Sequence, residues 1–515
     1  MNGVETGAAV EFSRDVRGRR AGSRWAVFAL ALVVRAALFP FADNKQADAP
    51  IRALLAERMN SDPGAAGDPR SFRQFGPLPI EVMRPFLAVD PDARRASRLP
   101  SLLAGLAVFW PFFSLARRMG ATGGALSLAG LALALAPLHI QVSITAASEA
   151  LYLLCFVATL DRLHAAMSER RRRDFALAGL WGGLAAVTRY DMWLSLPAAG
   201  AMALWLGARD RRGLFDVALF LGIAAILPGA YLLWSGLSTG DPLFFAHFIA
   251  QDHVGLAAAA SQRLGPVLAR LRQPVIWSLS FAAAMTPVPF LALWGAIPRA
   301  SRTRYRLDGP TWVVLSAALA PIGVYLIKGI GLGQFEPLPR FAIAPGAILL
   351  PVAATLLQRA WGRRPPAQLS ALVVGGMVVL VGLLEIASHG RPGRAWEGPE
   401  SLSPLTRMEP DDRALAAYLE QHRQTEEGVF IDPLGFTDIV IVHAARIPAA
   451  RAATLAQTRS PSPTLAETRA RTQSSWFAAH DLSWGKTTIA DWPADGLRFG
   501  GWRLAHYGGA APTPR

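Results

Sequence analysis

The chain has 515 residues, of which 52% are hydrophobic and only 17% are charged. The apolar residues are concentrated in runs, and about eleven of these runs approach the roughly 20 residues that a helix needs to cross a bilayer. The composition therefore excludes a soluble protein and a disordered chain. It also excludes a small secreted domain held by disulfides, because the single cysteine, Cys155, lies inside an apolar run.

The basic residues indicate how the chain lies in the membrane. Lys and Arg number 52 against 37 Asp and Glu, which gives a net charge of +15. The arginine clusters separate every second apolar run, as the positive-inside rule requires of cytoplasmic connections. We therefore expect a cytoplasmic N-terminus and no nucleic-acid partner. The clusters lie within residues 14–24, 117–118, 162–173, 209–212, 299–306 and 359–364.

Taken in chain order, the apolar runs predict an all-α polytopic membrane protein with about eleven transmembrane helices. Residues 1–24 form a cytoplasmic leader, and residues 25–389 form the multi-span module. We expect the first run to be a retained anchor, since no small-residue cleavage site follows it directly. The predicted spans are 25–41, 98–116, 122–138, 147–162, 175–188, 191–207, 214–236, 274–296, 311–328, 341–358 and 368–387.

An odd number of spans places the C-terminus outside. Residues 390–515 are too polar for the membrane, and they contain an amphipathic helical pattern near Asp411 to His422 and an apolar strand at Gly428 to Ile431. The sequence therefore predicts a small extracytoplasmic α/β domain. On the same side, residues 42–97 and 237–273 form two long external connections.

The first external connection contains the most informative charges. Span one is followed by F-A-D-N-K-Q-A-D-A-P, so Asp43 and Asp48 stand at the membrane surface just before a helical segment. A carboxylate in this position could act as general base on an acceptor hydroxyl. Alternatively, Asp48 caps the N-terminus of a helix whose first turn contains Pro50. The two roles are compatible.

The segment from Asp48 to Met59 resembles, without a gap, part of the first external loop of the GT-C superfamily of integral-membrane glycosyltransferases. In the protein O-mannosyltransferases and the lipid A aminoarabinose transferase this segment reads D-E-x-R-Y-A-x-I-A-R-E-M, and its Asp is catalytic. Asp48 takes that position. The segments Q-F-G-P-L-P at 74–79 and S-R-L-P-S at 97–101 are similar to the family's Gly-Pro-Leu and A-R-L-P-S segments.

Three later segments are similar to the same family, so the likeness extends from the first to the tenth predicted span. The stretch L-A-A-V-T-R-Y-D-M-W puts Arg189 where the family has a basic residue near the carrier phosphate. T-G-D-P-L-F-F at 239–245 is similar to a turn that follows span seven in these proteins. P-R-F-A-I-A-P puts Arg340 in a signature, R-Y-x-x-x-x-P, whose arginine lies at the external face.

The sequence also departs from the family pattern. Ala49 replaces the second acid of the Asp-Glu pair, and Ile51 and Arg52 stand where Arg-Tyr is expected. The lysine that precedes Pro-Pro-Leu in the aminoarabinose transferase is absent, which argues against that particular enzyme. The sugar and the acceptor are therefore left open by the resemblance.

The resemblance implies a GT-C fold and transfer of a sugar from a polyprenyl-phosphate carrier to a lipid, glycan or protein acceptor. The reaction would take place on the outer face of a bacterial-type inner (plasma) membrane. Asp48 would take the proton of the acceptor hydroxyl, with inversion at the anomeric carbon. Arg189 and Arg340 would bind the donor phosphate through charge-assisted bonds, with Lys45 or Arg73 as accessory phosphate ligands.

The arginines have structural alternatives, and other residues are accessory candidates. Arg340 could instead pair with Glu336, and Arg189 with Asp191. Glu149 could supply a second acid, or it could complement the dipole of the helix that begins there.

His253 lies in the second external connection. It could contact phosphate or acceptor, or take a surface role. Asp43 is an accessory candidate at the membrane surface. The spacing of His247, Asp252 and His253 fits no recognised metal pattern, so we expect no cofactor. Some members of the resembled superfamily need a divalent ion and others do not, and this sequence does not indicate one.

A transporter or lipid flippase is the competing interpretation of so many spans. Arg35 inside span one and Lys328 near the end of span nine would then mark a substrate path. Such proteins commonly consist of two related halves, and no such repeat is evident in this sequence. Because the informative charges collect on one face instead, the pattern favours chemistry at the membrane surface.

Overall fold

The computed structural model describes residues 24–46, 48–72, 74–90, 92–207, 211–286, 307–361, 376, 402–431, 437–453, 469, 472–480 and 496–506. Every predicted span except the last overlaps a helix, and the span at 368–387 lies outside the described residues. In chain order the helices up to residue 361 are α1 (Arg24–Phe41), α2 (Ala49–Ser61), α3 (Pro63–Ala66), α4 (Pro77–Val89), α5 (Ala93–Ala96), α6 (Leu99–Ala107), α7 (Phe109–Arg118), α8 (Gly123–Leu135), α9 (Pro137–Ile144), α10 (Ser148–Glu169), α11 (Arg172–Thr188), α12 (Met192–Gly207), α13 (Arg211–Thr239), α14 (Phe244–Leu264), α15 (Pro266–Leu271), α16 (Gln273–Met285), α17 (Gly309–Leu326) and α18 (Ile343–Trp361).

Not all of these helices are long enough to cross a bilayer alone. Among the described residues, 6 helical segments meet the length and composition of a membrane span, or up to 7 if one bent pair counts as a span. Helices α11 and α12 lie at predicted spans but have only 17 and 16 residues. The protein is a multi-pass membrane protein, whereas the expected number of about eleven spans stays a prediction.

The span predicted at 122–138 is broken. Helix α8 ends at Leu135, α9 begins with Pro137, and the two axes differ by 53°. Proline ends the first helix because it has no N–H to donate. Arg35 of α1 compensates from inside the bundle: its Nη1 donates to the carbonyl oxygen of Ala134 at 3.1 Å, and its Nη2 lies 2.8 Å from His139 Nδ1. Arg35 therefore satisfies a helix end in the membrane, where exposed carbonyls are costly.

The C-terminal part is the expected small α/β domain. A mixed five-stranded sheet has the order β2-β1-β3-β5-β4, with parallel pairing of β1 to β2 and β3, and antiparallel pairing of β5 to β3 and β4. Its elements are α19 (Pro410–His422), β1 (Gly428–Ile431), α20 (Thr437–Ala444), β2 (Ala452–Ala453), β3 (Ser474–His480), β4 (Leu497–Phe499) and β5 (Trp502–His506).

The predicted helix and strand of this domain are both present. Helix α19 begins with a capping box, in which Glu409 and Asp412 each accept a hydrogen bond from the other's backbone N–H. This motif satisfies two N–H groups that would otherwise lack partners. The strand Gly428–Ile431 is buried along its whole length, as its apolar run predicts.

This C-terminal domain packs against the connection 42–97. The side chain of Arg58 donates to the carbonyl oxygen of Ala452 at 2.9 Å, and the backbone N–H of Ala449 donates to Glu57 Oε1 at 2.9 Å. The two parts also share one hydrophobic cluster, so they form a single packed unit. Its members include Leu54, Met59, Met83, Val440, Ile441 and Trp476.

His443 of α20 makes this packing sensitive to pH. Its side chain is 2% exposed, and burial lowers its pKa to about 4. In the unfolded chain the pKa of the His443 imidazole is about 6.5, so as the pH falls His443 takes up a proton in the unfolded state before it does so in the folded state. Stability is therefore full above pH 6.5 and decreases between pH 6.5 and 4, by about 2 kcal/mol at pH 5.

We expect hydrogen exchange in Thr437–Ala444, corrected for intrinsic rates, to be faster at pH 5 than at pH 7. The acceleration at pH 5 relative to pH 7 should be smaller in His443→Gln than in the wild type. Burial raises the pKa of Glu57, but Glu57 is present in both forms and cancels in the comparison. An equal pH effect in the variant would contradict the assignment to His443.

Gly76 explains how closely α4 approaches the end of α11. A Cβ added at Gly76 would lie 2.4 Å from the carbonyl oxygen of Val187 and 2.5 Å from that of Thr188. Both are backbone atoms, which cannot turn aside as a side chain can. We expect Gly76→Ala to destabilise the protein by about 1–3 kcal/mol, measured as a lower unfolding temperature in detergent.

Gly67→Ala is the matched control in the same connection. Its added Cβ would find its nearest neighbour at 3.7 Å, an ordinary contact distance. If both variants unfold at the wild-type temperature, the approach of α4 to α11 is looser than the structure describes.

Candidate active site

Asp48 immediately precedes α2, where Pro50 occupies the first turn. Its side chain makes no capping hydrogen bond to the helix. Instead, its Oδ2 lies 2.7 Å from Arg340 Nη1 and 3.2 Å from Arg52 Nη2. Asp48 thus occupies the capping position, while its carboxylate binds two arginines.

Arg340 lies near the C-terminal end of the membrane module in the sequence, far from Asp48, but contacts it in the structure. It lies in a 3₁₀ turn, Pro339–Ala342, that leads into α18. Besides its contact with Asp48, its Nε lies 3.7 Å from Glu149 Oε1. The alternative pairing with Glu336 is wrong, because Glu336 forms its ion pair with Arg272.

Arg189 and Glu149 extend the same set of ion pairs. Arg189 directly follows α11, and its Nε donates to Asp191 Oδ2 at 2.7 Å, as the alternative interpretation expected. Its Nη1 also forms a short ion pair with Glu149. Glu149 lies in the first turn of α10 and is buried. It therefore joins Arg189 to Arg340, which a role at the helix dipole alone does not require.

Together these side chains form an alternating ion-pair cluster, defined here as Asp48, Arg52, Glu149, Arg189, Asp191 and Arg340. Its three carboxylates balance three guanidinium groups. Pairing of this kind offsets the cost of removing charges from water. Asp48 is the most accessible carboxylate of the cluster, with 16% of its side chain exposed, against 12% for Asp191 and 2% for Glu149.

Aromatic rings enclose the cluster. The guanidinium carbons of Arg189 and Arg340 lie 5.4 and 5.7 Å from the centre of the Phe341 ring, within the range of cation–π attraction. The hydroxyl of Tyr325, on α17, donates to Asp191. These rings limit the access of water, which strengthens the ionic contacts.

A pocket opens beside the cluster between α10, α12, α17 and α18. One part of its lining is charged and contains Glu149, Arg189, Asp191 and Arg340. The other part is apolar. It includes Phe156, Ala318, Pro321, Ile322, Ile343 and Ala344. The pocket thus has a charged side formed by the cluster and an apolar side formed by the helices.

His253 lies next to the cluster and is only partly exposed. The centre of its ring is 4.7 Å from that of Phe335 and 6.0 Å from that of Phe341. Burial and the charge of Arg340 lower the pKa of His253 to about 4, so the imidazole is neutral at pH 7. His253 therefore lies at the edge of the site and packs against aromatic rings, whereas the alternative interpretation expected it on the surface.

Arg52 is the residue of the cluster that sequence reasoning did not assign. It is buried, and its guanidinium carbon lies 4.9 Å from the centre of the Phe75 ring. Its Nε and Nη1 have no hydrogen-bond partner within the part of the chain that the structure describes. The available signal was spacing, because residues four apart on a helix share a face.

The other accessory candidates lie elsewhere. Asp43 and Lys45 contact the C-terminal domain, at Arg413 and Asp412 respectively. Arg73 lies outside the described residues. Within the ranges described, no group of three or more His, Cys, Asp or Glu side chains could hold a metal ion.

Part of the chain matches a known family. Residues 76–235 match the family described as dolichyl-phosphate-mannose-protein mannosyltransferase. This segment includes Glu149 and Arg189, while Asp48 and Arg340 lie on either side of it. No curated protein matches the sequence.

Solved structures share the fold over most of the chain. ArnT from Cupriavidus metallidurans bound to undecaprenyl phosphate has a TM-score of 0.62 and 17% identity, covering 93% of this chain and 97% of its own. The apo oligosaccharyltransferase of Archaeoglobus fulgidus has a TM-score of 0.53 and 12% identity, covering 89% and 69% respectively. At such identities the likeness shows the fold.

The middle of the chain is therefore similar to a mannosyltransferase family, and most of the chain has the fold of ArnT and of an archaeal oligosaccharyltransferase.

Proposed function

We propose that the protein transfers a sugar from a polyprenyl-phosphate carrier to a hydroxyl of a lipid, glycan or protein acceptor. The observation that carries this proposal is the contact of 2.7 Å between Asp48 and Arg340. It places a carboxylate suited to take a proton beside a guanidinium suited to bind a phosphate. Both groups that the reaction needs therefore lie within one site.

The reaction assigns a role to each of the two groups. The acceptor oxygen attacks the anomeric carbon and forms the new glycosidic bond, while Asp48 takes the proton of the acceptor hydroxyl. The bond between the anomeric carbon and the phosphate oxygen breaks, and the phosphate leaves with the electron pair. Attack from the side opposite the leaving group inverts the anomeric centre. Arg340 and Arg189 stabilise the negative charge that develops on the phosphate.

The charge balance of the cluster implies an exchange of partners. Every carboxylate is paired with an arginine, so a phosphate that binds Arg340 would compete with Asp48 for that guanidinium. Asp48 is the most accessible of the three. A phosphate that binds Arg340 would leave Asp48 Oδ2 with one arginine partner, Arg52, instead of two, and so more available to the acceptor proton. Binding of the donor and activation of the base would be one event.

The remaining features of the site fit a lipid-linked donor. The lining beside the charged cluster is apolar, as the first isoprenyl units of a lipid carrier would require, and the unpartnered nitrogens of Arg52 offer donors to phosphate or sugar oxygens. ArnT from Cupriavidus metallidurans, which shares the fold, was solved with undecaprenyl phosphate. Polyprenyl-phosphate sugars are therefore the donor class that we propose.

The topology follows from the arginine-rich connections. We place the N-terminus in the cytoplasm and the cluster on the extracytoplasmic face of a bacterial-type inner membrane, as the positive-inside rule indicates. The C-terminal domain packs on the connection that contains Asp48, so it lies on the same face.

Asp48→Asn tests the assignment of the base. Purified protein in lipid nanodiscs would receive a panel of radiolabelled polyprenyl-phosphate sugars and a membrane extract as acceptor source. We expect wild-type protein to release carrier phosphate and label the acceptor, and Asp48→Asn to lose at least about 100-fold in rate. Binding of polyprenyl phosphate should persist or tighten, because Arg340 loses its carboxylate partner.

Asp68→Asn is the matched control. Asp68 lies in the same connection and also pairs with an arginine, Arg70, but it lies outside the cluster. Wild-type turnover in Asp48→Asn would remove Asp48 from the mechanism. Absence of transfer by the wild-type protein with every donor would contradict the proposed function as a whole.

Substitution of Arg340 tests the phosphate site. A charge-assisted hydrogen bond contributes about 1.5–3 kcal/mol, so we expect Arg340→Gln to weaken binding of polyprenyl phosphate by about 10- to 100-fold. The affinity of Arg340→Lys should lie between those of the wild type and Arg340→Gln, since lysine keeps the charge but lacks the planar guanidinium. Titration of tryptophan fluorescence with polyprenyl phosphate measures the affinity.

Arg95→Gln serves as the control for charge removal. Arg95 pairs with Asp90 at an exposed position, with 62% of its side chain accessible. Unchanged affinity in Arg340→Gln would place the phosphate elsewhere.

A further inference from the structure

The residues that lead into Asp48 are held in place one after another. Residues 42–45, called the strap here, connect α1 to the start of α2. Each residue of the strap has a partner far away in the sequence. Asp48 lies three positions beyond the last residue of the strap.

The C-terminal domain binds the strap at Asp43. The backbone N–H of Asp43 donates to the carbonyl oxygen of Thr406 at 2.8 Å, and the hydroxyl of Thr406 donates to the Asp43 carbonyl oxygen at 2.6 Å. The carboxylate of Asp43 accepts from the backbone N–H of Met408 at 2.6 Å and from Arg413 Nη2 at 3.1 Å. One residue thus forms four bonds to the segment that precedes and begins α19.

Lys45 adds a second connection to the same helix. Its Nζ lies 3.5 Å from Asp412 Oδ2. Asp412 also accepts from the backbone N–H of Glu409 at 3.3 Å and from the indole of Trp502 at 2.9 Å. Since Trp502 is fully buried in the sheet, Lys45 is attached to the core of the C-terminal domain.

The other side of the strap is attached to the membrane module by Arg98. Its Nη1 donates to the carbonyl oxygens of Ala42 at 2.6 Å and Ile144 at 3.4 Å. These two carbonyls belong to the strap and to the last residue of α9. Arg98 is buried, so it joins the two segments in a region that excludes water.

Asn44 completes the connection toward Glu149. Its Oδ1 accepts from the backbone N–H of Ala146 at 2.8 Å, in a buried contact. Ala146 lies between α9 and α10, just before the turn that contains Glu149. The strap therefore links three parts: the C-terminal domain, Asp48 and the helix that presents Glu149.

We propose that the C-terminal domain acts through the strap to position Asp48, with Asp43 and Arg413 as positioning residues. This inference rests on the proposed role of Asp48 as base. A base displaced by about 1 Å can lose as much as 100-fold in rate. If the strap were held only at its membrane end, Asp48 could move by such a distance. The bonds from the strap to α19 restrict this movement.

Asp43→Ala and Arg413→Ala test the proposal from the two sides of the contact. We expect kcat to fall about 10-fold in Asp43→Ala and about 3-fold in Arg413→Ala, with KM for the donor within twofold of the wild type. Arg413→Lys, which keeps the charge opposite Asp43, should recover most of the loss. Arg451→Ala is the matched control, because it breaks an ion pair of the same domain, to Glu426, away from the strap.

Double variants with Asp48→Asn distinguish positioning from general stability. If Asp43 and Arg413 act through Asp48, their loss should not lower the residual single-turnover rate of Asp48→Asn. Wild-type kcat in both single variants overturns the proposal, and so does an equal fall of rate with and without Asp48. Unfolding temperatures of all variants exclude a global effect. If Asp48→Asn alone retains full transfer, it is the proposed function that fails.

Discussion

The ion pair between Asp48 and Arg340 is the contact on which the architecture of the site depends. It joins the connection after the first helix to the turn before α18, and thus closes the membrane module at one face. Neither residue lies in the segment that matches the mannosyltransferase family, whereas Glu149 and Arg189 do. The contact therefore completes a site whose middle part is supplied by residues 76–235.

The pairing of charges also explains why these groups can lie beside a membrane. An isolated buried carboxylate or guanidinium would be strongly disfavoured. Alternation of three acids and three arginines removes most of that cost, and the rings of Phe341 and Tyr325 shield the pairs from water. The three acids and three arginines also leave the cluster with no net formal charge.

The sequence predicted the fold class, because apolar runs are a local property. It also identified Asp48, Arg189, Arg340 and Glu149 as candidates, because short motifs are local as well. It did not predict which charges pair. Glu336 lies near Arg340 in the sequence but binds Arg272, since partners are chosen by the packing of α15, α16 and the following turn. Asp43 and Lys45 were candidates for the site because they stand beside Asp48, yet their partners lie in a domain that follows the membrane module. Contacts over such distances leave no local pattern.

Two departures from the family pattern acquire a physical meaning in three dimensions. Ala49 stands where the second acid of the Asp-Glu pair is expected, and it is fully buried. A second carboxylate nevertheless reaches Arg340 from another helix, as Glu149. Arg52 stands one position later than the arginine of the pattern.

On a helix, positions three and four residues beyond Asp48 lie on the same face, so Arg52 still reaches its carboxylate at 3.2 Å. An ungapped sequence comparison scores positions 49 and 52 as mismatches to the family pattern. In the structure, a second carboxylate and an arginine are nevertheless present beside Asp48 and Arg340, supplied by Glu149 and Arg52. Pairing of charge at Asp48, rather than the identity of neighbouring residues, is thus what the structure preserves at this position.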